Sequence, residues 1–203
     1  MTQKIISDVA FSPTVKAWQE RMGSRAAYVK MEEKGGWHDR IDAGLEAFIA
    51  ERDSFYLGST SVDGQPYIQH RGGKKGFLKI LDPTTLAFAD FKGNKQFISA
   101  GNFSENSKAF IFLMDYANRR RIKIWGMAEV IEDDPVLLAK LVDQDYNAVP
   151  ERAIIFRITA WDSNCPQHIP QKFGVSELKE ILEPYELRIA ELEEKILKLE
   201  DRD

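Results

Sequence analysis

Between Phe55 and Trp161 the chain is cut into short runs rich in β-branched and aromatic residues, with joints mostly too brief to hold a helix. Phe55–Thr60 and Pro66–His70 flank Asp63-Gly64, the strongest short hairpin signal. Phe77–Leu81 and Leu86–Ala89 flank Asp82-Pro83-Thr84-Thr85. Ala109–Met114 is a continuous apolar run, which predicts a strand buried on both faces. Arg119–Ile131 alternates, with Ile122, Ile124 and, after a shift, Met127 and Val130 opposite Arg121, Lys123 and Glu129; Gly126 in its middle predicts a bulge or a close approach. Ala153–Trp161 reads as the last long strand. Six or so strands joined by hairpins, with few helices between, predict a mainly β fold built on a small antiparallel barrel.

Helices flank this region. Ser12-Pro13 opens one short helix that Gly23 stops, and Arg25–Gly36 reads as a loop. Asp39 can cap a second helix, with Ile41, Leu45, Phe48 and Ile49 on one face. Asp134-Pro135 opens a third. The tail from Ser176 is helical, with a break expected at Pro184; beyond it Tyr185, Ile189, Leu192, Ile196 and Leu199 keep the spacing of a coiled-coil seam, which calls for a body or partner chain to cover it. With 203 residues and no linker or repeat, the chain reads as one domain over 1–203, with N-terminal helices at about 11–52 and a helical tail at about 176–203.

Composition excludes several functions. A net charge of −4 gives no basic field for nucleic acid. The single cysteine, Cys165, allows no internal disulfide and suits a reducing cytoplasm. His38, His70 and His168 stand far apart, without metal-ligand spacing. No signal peptide or run long enough to span a bilayer is evident, so a cytoplasmic location is expected.

Three polar stretches offer chemistry. In Leu86–Asn102 a strand breaks at Asp90–Gly93 and restarts as a helix-like run from Asn94 to Ala100, flanked by Lys92 and Lys95. Such a joint either gathers free backbone N–H groups for a phosphate or is an ordinary connection. The basic glycine-rich loop Arg71-Gly72-Gly73-Lys74-Lys75-Gly76 either wraps a phosphate or ring edge or is a solvated hairpin loop. Arg119-Arg120-Arg121, if on a strand, alternate faces, so at most two serve one site. No Gly-x-Ser-x-Gly elbow and no Gly-x-Gly-x-x-Gly fingerprint is present, and nothing marks Cys165, three residues before His168, as an activated thiol.

The order of Asp63-Gly64-Gln65-Pro66, the Arg/Gly/Lys loop, an apolar strand, Leu-Ala-Phe-Ala-Asp-Phe-Lys-Gly-Asn-Lys-Gln, another apolar strand, and Arg-Ile-Lys-Ile-Trp-Gly-Met-Ala-Glu-Val resembles the pyridoxamine 5′-phosphate oxidase-like, FMN-binding split-barrel superfamily from about Ile41 to Trp161. Its ends look like an oxidase-related subgroup of uncertain substrate. The resemblance implies a six-stranded antiparallel split barrel that dimerises, with FMN in clefts at the homodimer interface. It implies that Arg71, Gly72, Gly73, Lys74, Phe77, Leu78 and Lys79 line the flavin, that Phe88, Ala89 and Asp90 lie beside it, and that Asn94 and Lys95 sit at the phosphate pair. Arg121 falls at a ring-contacting position, and Arg121 or Lys79 is the candidate cation near the N1–O2 edge. Phe77, Phe88 or Trp161 are candidates to flank the ring, and His168 to form a partner-chain wall. Ala89 lacks the family's hydroxyl and Asn94 lacks its charge, while the oxidase's Arg-containing tail gives way to the seam helix. The implied activity is FMN-dependent oxidation or reduction of an unidentified small molecule; the alternatives are a non-catalytic flavin-binding or sensing protein, or a split-barrel binder of another ligand such as haem.

Overall fold

The computed structural model describes residues 5–163 and 166–200. Asn164 and the lone thiol, Cys165, lie outside the described residues. The chain divides into two compact units: Met1–Asp115 with Arg120–Pro166, and Tyr116–Arg119 with Gln167–Asp203.

The first unit is built on seven strands: β1 (Ser54–Thr60), β2 (Pro66–Gly72), β3 (Lys79–Asp82), β4 (Thr85–Phe91), β5 (Lys108–Asp115), β6 (Arg120–Ile131) and β7 (Pro150–Ser163). They form one antiparallel sheet in the order β2-β1-β5-β6-β7-β4-β3, which is open at its two ends, so the mainly β split-barrel class expected of the chain is present with one strand more than six. The Asp63-Gly64 turn lies where the sequence puts it: Gly64 has φ 87°, and Ser61 and Gln65 close the loop. Leu57, Leu86, Phe88, Ile111, Leu113, Ile124 and Phe156 are fully buried and define the core. A smaller cluster packs Leu141 against Ala87, Ala89 and Ala153.

β5 departs from expectation. Its residues alternate between a buried face and a half-exposed one that carries Phe110, Phe112 and Met114. An antiparallel strand needs cover on one side only, and here the inner face is aliphatic while aromatic residues occupy the outer one. Phe110 packs on Phe112 and Trp125, Trp125 stacks on Trp37 at 4.7 Å, and Tyr56 on β1 lies opposite Phe112. This outer aromatic face is the second apolar surface of the sheet.

Gly126 shows both features expected of it. The β6–β7 register shifts between Trp125 and Gly126. The extra residue, however, is Thr159 on β7, so β6 keeps its alternation, with Ala128 inside and Met127 outside. A Cβ at Gly126 would stand 2.3 Å from the Arg157 carbonyl oxygen and 2.4 Å from the Phe156 ring.

Three helices of this unit pack around the sheet, and two more precede them after a short 3-10 turn (Ile6–Val9). Ser12 caps α1 (Pro13–Arg21) by accepting from Val15 N–H, and Gly23 ends it at φ 76°. The segment read as a loop is helix α2 (Arg25–Glu33): Ala26, Ala27, Lys30, Met31 and Glu32 are strong helix formers, and Arg25 bonds Glu32 along it. Asp42, rather than Asp39, caps α3 (Ala43–Ala50), accepting from Leu45 N–H at 2.8 Å. α4 (Ile98–Glu105) begins four residues later than expected, and Asp134 caps α5 (Pro135–Leu141) through Leu137 N–H. Arg119 is not on β6; it sits in a turn at φ 52°.

In the second unit, α6 (Val175–Glu200) runs unbroken through Pro184. Proline removes one backbone bond, and the strong helix formers on both sides carry the helix across the gap. Gly174 N–H donates to Glu177 at 2.7 Å at its start. Among the described residues no helix is long and apolar enough to cross a membrane, and no group of three or more acidic, histidine or cysteine side chains could hold a metal ion.

Candidate functional site

At the edge of the first unit, β2, the end of β4 and the start of α4 enclose a cavity of about 230 Å³. Strand alternation places Tyr67, Gln69 and Arg71 on one face of β2, while Ile68 and His70 point to the other. Gln69 accepts from Ser99 in the first turn of α4 at 3.0 Å, and Asn102 in α4 donates to Ser59 on β1 at 2.9 Å. The helix is thereby pinned with its N-terminus at the cavity mouth. The N–H groups of a first helical turn lack intrahelical acceptors, and the dipole adds partial positive charge there.

Residues 92–97 shape the opposite wall. Asn94 folds back, accepting from Gln96 N–H at 3.2 Å and donating to its side chain at 3.3 Å. Lys95 and Phe97 adopt left-handed backbone, φ 59° and 52°, which costs roughly 1–3 kcal/mol for each non-glycine residue. This is the physical reason that the helix does not start at Asn94: an asparagine turn and two positive φ values precede it.

The charges around the cavity pair off almost completely. Arg71 is hydrogen-bonded to Asp90; Arg152 lies 3.5 Å from Asp90 and 2.8 Å from Glu151. With Glu132 also 3.9 Å from Arg152, two guanidinium groups face three carboxylates. Lys95, which lines the same cavity, has no carboxylate within ion-pair distance among the described residues. Arg71 Nε is buried without a hydrogen-bond partner. Arg71 Nε is sealed from the cavity, so the groups that face it are the Lys95 ammonium and the first-turn N–H groups of α4, a pairing of the kind that attracts an oxyanion.

Of the residues singled out by sequence, this cavity gathers Arg71, Asp90, Asn94 and Lys95. The others lie elsewhere. Gly72 ends β2, and a Cβ at Gly73 would meet the Phe77 ring at 2.6 Å. Lys74 pairs with Asp145 and Lys79 with Asp143, so the segment after α5 clasps the basic loop; Lys74 holds the Asp145 carboxyl below its ordinary value. Phe77, Leu78 and Phe88 are core residues, with Phe77 stacked on Phe55 and Phe88 edge-on to it. Ala89 belongs to the Leu141 cluster. Trp161 is buried, donating to the Arg40 carbonyl at 2.7 Å and stacked on His38. The rings of Phe77, Phe88 and Trp161 are thus committed to packing and do not line this cavity. Arg121, on the half-buried face of β6, has a buried Nε without a partner but stands outside the cavity. His168 is exposed in the second unit, at φ 63°.

Sequence reading missed Tyr67, Gln96, Ser99 and Glu151 as lining residues, and reached Gln69 only as the start of the polar stretch that runs to Gly76. Period-two alternation back from Arg71 was the available signal for Tyr67 and Gln69. None existed for Glu151, which arrives from β7. A larger hollow of about 580 Å³ lies over the Gly126 bulge, between Trp125, Met127, Thr159 and the N-terminal turn.

An open antiparallel sheet of this order, with a polar pocket at β2, β4 and α4, defines a split-barrel protein. The chain belongs to the pyridoxamine 5′-phosphate oxidase family, whose model matches residues 41–165, more than half its length. A comparison with curated protein sequences gives no match. Among solved structures, a point variant of HupZ from Group A Streptococcus is similar at 16% identity and TM-score 0.51, over 61% of this chain and 99% of that one. A putative pyridoxamine 5′-phosphate oxidase from Lactobacillus delbrueckii follows at 20% identity and TM-score 0.47, over 62% and 95%. An FMN-binding protein from Syntrophomonas wolfei matches at 16% identity and TM-score 0.48, over 75% and 95%. At these identities the likeness is one of fold.

Proposed function

We propose that this chain is an FMN-binding flavoprotein that acts as an oxidoreductase on a small molecule, as a cytoplasmic homodimer. The observation that carries the reading is Lys95, without an ion-pair partner among the described residues, in a cavity at the α4 N-terminus. A flavin mononucleotide ends in a phosphate, and this donor set fits one: Lys95 supplies charge, the first turn of α4 offers backbone N–H groups, and Asn94 keeps one amide N–H beyond the one it gives Gln96. Bound FMN supplies hydride or electron transfer, chemistry that side chains lack. The chain's own work is anchoring and exclusion. The Arg71–Asp90–Arg152–Glu151 chain holds Arg71 in place from one side, and the Gln69–Ser99 bond fixes the helix on the other. The dimer is supported by the outer aromatic face, where Tyr56, Phe110, Phe112 and Trp125 stand exposed or half-exposed on one sheet surface.

The test is the spectrum of the purified protein. A flavin spectrum, or uptake of added FMN, is expected; a colourless protein that takes up none overturns the reading, and a haem spectrum replaces it. Reduction of the bound flavin by NADH or NADPH, followed by turnover with an acceptor, is expected of the enzyme. Retained flavin with no turnover across donors identifies a non-catalytic carrier.

A further inference from the structure

We infer that α6 pairs with α6 of a second copy of this chain as a parallel two-stranded coiled coil, running through Pro184. The inference goes beyond the cofactor reading and does not depend on it. Because the helix is continuous, the seam is longer than the stretch after the proline. Leu178, Leu182, Tyr185, Ile189, Leu192 and Ile196 follow alternating steps of four and three residues. All six are more than 40% exposed, so the chain itself leaves this stripe uncovered.

The side chains along the stripe specify its partner. With Leu182, Ile189 and Ile196 at heptad position a, and Leu178, Tyr185 and Leu192 at d, β-branched residues hold two of three a sites and leucine two of three d sites. That assortment favours two parallel strands. On the flanks Lys179, Glu186 and Glu193 stand at e, and Ile181, Arg188 and Lys195 at g. A parallel pair sets each g residue against the partner's e residue five positions on, so Arg188 meets a glutamate, Glu193. An antiparallel pair sets e against e and g against g, so Arg188 and Lys195 would find no acidic partner at g. Arg188 is now bonded to Glu191 at 2.8 Å, an exposed pair that a partner can outcompete. Pro184 falls at position c, and the carbonyl that it frees, on Glu180, falls at f. Both lie on the outer side, where water satisfies the carbonyl and the ring meets no partner.

The test uses the full chain with Cys165→Ser, carrying Leu178→Cys, Leu192→Cys or Glu194→Cys singly, in a mild disulfide redox buffer. Leu178→Cys and Leu192→Cys are expected to give mostly disulfide-linked dimer, and Glu194→Cys, at f, at least tenfold less. Equal linkage at all three positions, or none at the seam, overturns the proposal. So does linkage only when the two seam variants are mixed, which is the antiparallel outcome. Charge reversal keeps the proposal falsifiable if a cysteine variant misfolds: Glu193→Lys is expected to lower the melting temperature of helical dichroism, and added Arg188→Glu to restore it. Failure of that restoration overturns the pairing.

Discussion

A single methylene separates a working β6 from a blocked one. Gly126→Ala drives a Cβ into a backbone carbonyl and a core ring, and neither can retreat. A loss of about 3 kcal/mol is expected, seen as a fall of roughly 6–12 °C in melting temperature. Sequence alone exposed this residue, because a glycine in mid-strand has few reasons to exist. Lys95 is a second case in which one side chain decides the outcome. Lys95→Glu is expected to weaken FMN retention by at least about thirtyfold, about 2 kcal/mol, while Lys95→Arg keeps most of it, measured by equilibrium dialysis. Equal retention in both variants would remove Lys95 from the phosphate site. Its importance was readable from charge and position; its conformation was not. Positive φ at Lys95 and Phe97 depends on how β4 and α4 are held, and no local pattern announces that. The rings of Phe77, Phe88 and Trp161 misled for a related reason, since an aromatic residue in a strand looks the same whether it faces a ligand or the core.

At the scale of elements, the N-terminal helices are tied by a buried charge. Glu32, only 6% exposed, takes hydrogen bonds from Ser7 and from Arg25, which also holds Gln19. Burial pushes its carboxyl upward, but the Arg25 and Ser7 hydrogen bonds and the nearby positive charge prevail and hold it below the ordinary glutamate value. A lowered carboxylate contributes stability above its unfolded value and loses it as pH falls through its folded one. Glu32→Gln is therefore expected to cost about 1–2 kcal/mol at neutral pH, with the gap closing as pH falls below the ordinary glutamate range, measured by denaturant unfolding at each pH. α2 itself went unread because the glycine stop before it suggested the end of helical chain, whereas its alanines and the long-range Glu32 contacts rebuild a helix at once. α6 reverses that lesson, for there a proline suggested an end that the flanking residues override. Replacing Pro184 by Ala is expected to raise the melting of α6 by up to about 3 kcal/mol of local stability while leaving the sheet transition in place, followed by helical dichroism.

Over the whole molecule, the hairpins and the Ser12 and Asp134 caps were legible because each rests on local chemistry. The strand order β2-β1-β5-β6-β7-β4-β3 was not, since β1 pairs with β5 and β4 with β7 across long stretches of chain. The same gap explains why β5 looked doubly buried: Phe110 and Phe112 signal an apolar surface without saying whether this chain or another covers it. Phe112→Asp is expected to leave the sheet folded and to weaken self-association at least tenfold, measured by sedimentation equilibrium. An unchanged association constant would leave the aromatic face without its assigned partner.

That strand order also sets a timetable. β1 with β2 and β5 with β6 are neighbours in sequence and can zip locally, but β4, whose apolar side chains are buried along most of its length, waits for β7, some sixty residues later. Loop-closure entropy makes such a late pairing the slow step, and an unpaired apolar edge is adhesive in the meantime. During synthesis the growing chain therefore carries two half-sheets with open edges until β7 emerges. Nascent chains that end before Pro150 are the form in which this protein is most prone to clump.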